Sequence, residues 1–102
     1  MDLDVALGVA AVTQLPKLKL GVVYRTIVSR DESYVMVKEP EKQQFFKLDP
    51  WESDLLDLLD GTRGYEELAA AFSRQHPEKT IGVQFVVDYI EMLRGIDLLE
   101  RS

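Results

Sequence analysis

Cysteine is absent from the 102 residues, and histidine occurs once. Without cysteine there is no disulfide, no thiolate metal site and no cysteine nucleophile. One histidine rules out a multi-histidine metal centre and poorly supplies a histidine-based triad. The six glycines never fall in the GxGxxG or Walker-type spacing that cradles a nucleotide phosphate. A GxSxG nucleophile elbow is missing as well. Long apolar runs are also lacking. The stretch at residues 5–12 is too short to span a bilayer. The acidic start, Met1-Asp2-Leu3-Asp4, is unlike the basic start of a secretory signal. The expectation is a cytoplasmic, non-enzymatic chain with no cofactor, no metal, no catalytic residue and no direct membrane insertion.

What is present is ordinary globular composition, with 46% hydrophobic and 29% charged residues. The length fits one domain, with a core too small for a deep enzyme cleft. The net charge of −6 is unevenly placed. Residues 1–50 carry seven basic and seven acidic side chains, and residues 51–102 carry five basic and eleven acidic. An acidic half repels nucleic-acid phosphates and anionic lipid headgroups.

Punctuation along the chain gives an α+β order of three strands and three helices. Residues 1–15 form an expected N-terminal extension with enough apolar residues for a short helix, ended by Pro16. Residues 16–102 form the expected domain. Residues 22–29, 34–38 and 43–48 are rich in β-branched and aromatic side chains and predict strands. The short turns between them, one holding Pro40, imply an antiparallel meander. Asp49-Pro50-Trp51-Glu52 is a helix start, with Asp49 as cap, Pro50 at the first position and Glu52 reaching back. Gly61 ends that helix at a left-handed position. A second helix is expected at about residues 65–75 and a third at about 80–94, before a short closing segment at residues 96–99.

The third helix is apolar over too wide an arc. Val83, Val86, Val87, Ile90 and Leu93 make one face, and Phe85, Tyr89 and Met92 widen it to roughly 220°. A small domain covers about half of that. The surplus calls for a cover: the N-terminal segment, a second subunit in a homodimer, or a bound partner.

The ionisable residues read as structural. Asp57 and Asp60 are a solvated helix end, and Glu66 and Glu67 favour a helix N-terminus. His76 is a helix C-terminal residue and Trp51 a core anchor under the sheet. The order of elements suggests a winged-helix-like domain. Its expected recognition helix carries Asp88, Glu91 and Arg94, which lack the basic character that phosphate contacts and base readout need.

Several stretches resemble the PqqD-like family, or RiPP recognition elements, in order along residues 16–100. They are Leu15-Pro16-Lys17-Leu18 with Gly21-Val22, Phe46-Lys47-Leu48, Leu55-Leu56 and Leu59-Asp60-Gly61-Thr62. Glu66-Glu67-Leu68, Ala69-Ala70-Ala71-Phe72 and Gly95-Ile96-Asp97-Leu98-Leu99-Glu100 complete the set. The chain departs from the pattern at Gly64, where a Thr or Ser cap is common, and at Ile96-Asp97, one residue longer than the usual close.

The resemblance implies a module that captures the leader segment of a ribosomally made precursor peptide. The module presents that peptide to a modifying enzyme, often a radical-SAM protein. The leader adds as a strand to the third β-strand and lies against the third helix. Carried over, the site falls on Gln43, Gln44, Phe45, Phe46 and Lys47, facing Val83, Val86, Val87 and Ile90, with Phe85 or Tyr89 at the rim. Lys38, Lys42 and Lys47 would steer an acidic leader. Two alternatives stay open: a docking domain of a membrane peptide protease or secretion system, and a DNA-binding regulator.

Overall fold

The computed structural model describes residues 14–100. The expected helix in the N-terminal extension therefore lies outside the described residues. The β-branched stretches form β1 (Val23–Val28), β2 (Ser33–Glu39) and β3 (Gln44–Leu48). They pair antiparallel in the order β1-β2-β3, with Tyr24 opposite Val37 and Val37 opposite Phe46. Ser29 closes the first turn, where its N–H donates to the Glu32 carbonyl at 2.8 Å. The second turn is held by the Glu39 carboxylate, which accepts the N–H groups of Glu41 and Lys42 at 2.9 and 2.8 Å. Gln43 sits in this turn with φ 54°, and the strand begins one residue later than its composition suggests.

Three helices follow: α1 (Glu52–Leu58), α2 (Tyr65–Gln75) and α3 (Val83–Gly95). Glu52 reaches back as expected, accepting the Asp49 N–H at 2.7 Å. Gly61, at φ +87°, ends α1 in the left-handed region, where a Cβ would stand 3.0 Å from Lys17 Cγ. Gly64 precedes α2 without a capping side chain, and its N–H is taken instead by the Glu67 carboxylate at 2.8 Å. The third helix starts at Val83, later than expected, because residues 76–81 are spent on a turn. Lys79 N–H donates to the His76 carbonyl at 2.8 Å, and Ile81 N–H donates to Ser73 Oγ at 3.1 Å.

The helices pack in chain order, α1 on α2 and α2 on α3, and α1 also meets β1. The core lies between them and one face of the sheet. Val35 and Val37 are fully buried there with Phe72, Val86, Ile90, Leu93 and Leu98. Trp51 is half-buried and packs against the helices rather than under the sheet. Its ring lies 5.9 Å from those of Phe72 and Phe85 and 6.4 Å from that of Tyr89.

Leu15 belongs to the core, so the folded unit takes in the end of the expected extension. Residues 15–19 run beside the C-terminal segment. Leu15 N–H donates to the Arg63 carbonyl, Lys19 N–H to Leu98, and Glu100 N–H to Lys17, at 2.7, 2.9 and 2.9 Å. An ion-pair cluster locks this seam. The Lys19 ammonium lies 2.8 Å from Glu39, 3.0 Å from Glu41 and 3.0 Å from Asp97. Glu39 is fully buried, and its bond to Lys19 holds the carboxyl below its usual range. Among the described residues no helix is long and apolar enough to cross a membrane.

Candidate functional site

β3 is the last strand of the sheet, and no strand among the described residues pairs with its far side. Alternate residues of such an edge turn their N–H and C=O groups outward, unpaired. Side-chain direction follows from register, because opposite residues share a face. Phe46 and Leu48 stand opposite Val37 and Val35, so they point toward the core, and both are half-buried against it. Phe45 and Lys47 stand opposite Lys38 and Met36, on the other face. Phe45 is 61% exposed. Gln44 is exposed at the start of the edge.

α3 divides the expected contact residues into two groups. Val83 and Phe85 are exposed, at 40% and 38%, and Val87 is half-buried. Val86 and Ile90 are fully buried, and Tyr89 nearly so. These three belong to the core cluster. The reason lies in helix phase. The part of the arc pressed on α2 and the sheet is the part that holds Val86, Ile90 and Leu93. Tyr89 has a structural bond as well: its hydroxyl donates to Glu52 at 2.7 Å, and burial then raises its pKa. Glu52 thus ties the start of α1 to the middle of α3.

The lysines expected to steer a ligand are also dispersed. Lys42 pairs with Asp97 at 3.4 Å. Lys38 and Lys47 lie over the rings of Phe45 and Tyr34, with Nζ 6.0 and 4.5 Å from the centroids. Both belong to the outer face of the sheet.

One surface feature escaped the sequence. Trp51 forms an aromatic floor with Phe85 and Tyr89, covered by Lys79 with its Nζ 4.5 Å from the ring centroid. Met92 is 37% exposed further along α3. Met92 was legible in the helical arc; the meeting of Lys79 and Trp51 has no local signature.

The remaining polar side chains are engaged with one another. His76 Nε2 lies 2.6 Å from Asp54, and the ring stacks on Phe72 at 4.5 Å. The Asp54 hydrogen bond raises the histidine pKa. Tyr24 donates its hydroxyl to Asp57, and Asp60 accepts from Thr62 and Arg63. Glu39, Glu41 and Asp97 converge as a metal site would, but the Lys19 ammonium already contacts all three.

No family model matches the sequence, and a search of curated proteins finds no match. A solved structure does match. It is the PqqD part of PqqCD from Methylobacterium extorquens, determined in solution and described as a functional and stand-alone RiPP recognition element. The two share 25% identity at a TM-score of 0.59, over 85% of this chain and 89% of that one. This is the fold of a PqqD-like recognition element. The β-β-β-α-α-α order that the residues imply is the order that this PqqD-like chain has.

Proposed function

We propose that the chain is a non-catalytic peptide-recognition module that binds the leader segment of a ribosomally made precursor peptide. The observation that carries this reading is the open β3 edge, together with an α3 that leaves Val83, Phe85 and Met92 exposed, in a fold shared with a recognition element. An extended peptide gains main-chain hydrogen bonds along such an edge, and alternate side chains reach the neighbouring apolar surface. The contact set is Gln44, Phe45, Phe46 and Lys47 on the strand, Val83, Phe85 and Val87 on the helix, and Trp51 against Phe85. Gln43 closes the turn at one end. The bound peptide is then presented to a modifying enzyme, for which a radical-SAM protein is the first candidate. The acidic exposed side of α3, with Gln84 bonded to Asp88, supports a peptide over DNA.

The test uses the peptide that the chain retains from its native lysate, identified by mass spectrometry and then synthesised. Titrated into isotope-labelled protein, it is expected to shift the amides of residues 44–48 and 83–92. A second synthesis with alternate backbone amides N-methylated keeps every side chain and removes the donors. Unchanged affinity of that peptide would overturn strand addition.

A further inference from the structure

The outer face of the sheet is more apolar than a solvated face requires. An antiparallel sheet packed on one side ordinarily alternates apolar-in and polar-out. Here the register puts Val23, Ile27, Tyr34, Met36 and Phe45 on the face opposite the core. Val23 is 58% exposed and Phe45 61%. These residues line an open groove of about 270 Å³ that also takes in Arg25 and Lys38.

The charge on this face runs against that of the chain. Arg25, Lys38 and Lys47 stand there in a protein of net charge −6. Among the described residues, the acid paired with any of them is Glu32, which meets Lys47 at 3.2 Å. Two copies laid face to face would set these cations against each other, which disfavours a homodimer through this surface. We propose that the outer sheet face docks an acidic segment of a partner protein in which carboxylates alternate with apolar residues. The apolar side chains fill the groove between Val23 and Phe45, and the carboxylates meet Arg25 and Lys38. The surface lies across the sheet from the helices and shares Phe45 and Lys47 with the strand edge of the peptide reading, while Val23, Arg25, Ile27, Met36 and Lys38 belong to it alone.

The probe is a synthetic peptide of alternating Asp and Leu, with an alternating Lys and Leu peptide as control, titrated into the isotope-labelled full chain. The acidic peptide is expected to shift the amides of Val23, Arg25, Ile27, Met36 and Lys38, and the basic peptide is expected to leave them in place. The double variant Arg25→Glu with Lys38→Glu should raise the Kd about tenfold or more. Higher salt should weaken binding in the same direction. Met36→Asp should abolish the shifts, with a thermal melt confirming that the variant is folded. Shifts confined to residues 44–48 and α3 would overturn the proposal while leaving the peptide reading intact. Equal shifts with both probes would overturn it as well. So would a concentration-dependent dimer that covers this face and excludes the acidic probe.

Discussion

The two faces of β2 differ by one residue in sequence and by everything in environment. Val35 and Val37 are fully buried under the helices, whereas Tyr34 and Met36 between and beside them stay half-exposed. Both faces are apolar, yet the described helices cover one. Burial of the inner face makes the domain; the outer face adds nothing to the core and is therefore free to vary with a partner. The sharpest way to break this comparison is to place the same charge on each side. Val37→Asp puts an unpaired carboxylate into the core and should leave no folded protein. Met36→Asp should fold with a melting temperature within a few degrees of the parent. Circular dichroism and amide dispersion read both. Equal damage from the two would mean that the outer face is packed after all.

Glu39 is the third buried residue of β2, and it tests whether the inner face tolerates a charge when that charge is paired. Its partner Lys19 comes from the seam at the other end of the chain. Lys19→Met keeps most of the stem and removes the ammonium, leaving a buried carboxylate with two backbone donors. The expected loss is roughly 10 °C in melting temperature at neutral pH. The sign with pH is fixed by the depressed Glu39 pKa. Its contribution is present above the ordinary value of 4.5 and fades as pH falls through the folded value. Parent and variant should therefore converge toward acid. A constant gap down to low pH would show that Lys19 acts by packing alone.

α3 repeats the division found in β2, with Val86, Ile90 and Leu93 covered and Val83, Phe85 and Met92 open. Tyr89 sits at the boundary and is held by Glu52. Tyr89→Phe leaves a buried carboxylate oxygen short of a donor and should cost about 1–2 kcal/mol in a denaturant titration. If Tyr89 were instead a rim residue for ligand, the same change would lower peptide affinity and leave stability alone.

Much of this fold was legible because its signals are local. The meander was written in β-branched stretches and short turns, α2 in its periodicity between Gly64 and His76, and the end of α1 in Gly61. What was not legible is non-local. The period of α3 fixes which residues share a face but not which third of a roughly 220° arc meets the core, so the burial of Val86, Tyr89 and Ile90 beside the exposure of Val83 and Phe85 was not legible. The pairing of residues 17–19 with 98–100 joins the two ends of the chain, and no window of sequence spans it. Gln43 read as strand because its neighbours are β-formers, while its positive φ belongs to the turn. The candidate site was reached through resemblance; strand order leaves β3 at the edge, and burial divides the helical residues into exposed and covered ones.

The smallest expected effect concerns the helices that cover the inner face, where His76 of α2 meets Asp54 of α1. Asp54, and to a lesser degree Glu78, raise the histidine pKa above 6.5. A group raised in the folded state stabilises fully below its unfolded value and loses that contribution as pH climbs through the folded one. Denaturant midpoints should therefore fall modestly as pH rises above 6.5 in the parent. Asp54→Asn should flatten most of that slope, with Glu78 leaving a remainder. Lys19 is raised and Glu39 lowered, so neither titrates in this window and neither obscures the comparison. A slope that survives Asp54→Asn unchanged would place the titrating partner elsewhere. A slope that disappears would show that the cover over the inner face is itself adjusted by a single proton at the α1–α2 contact.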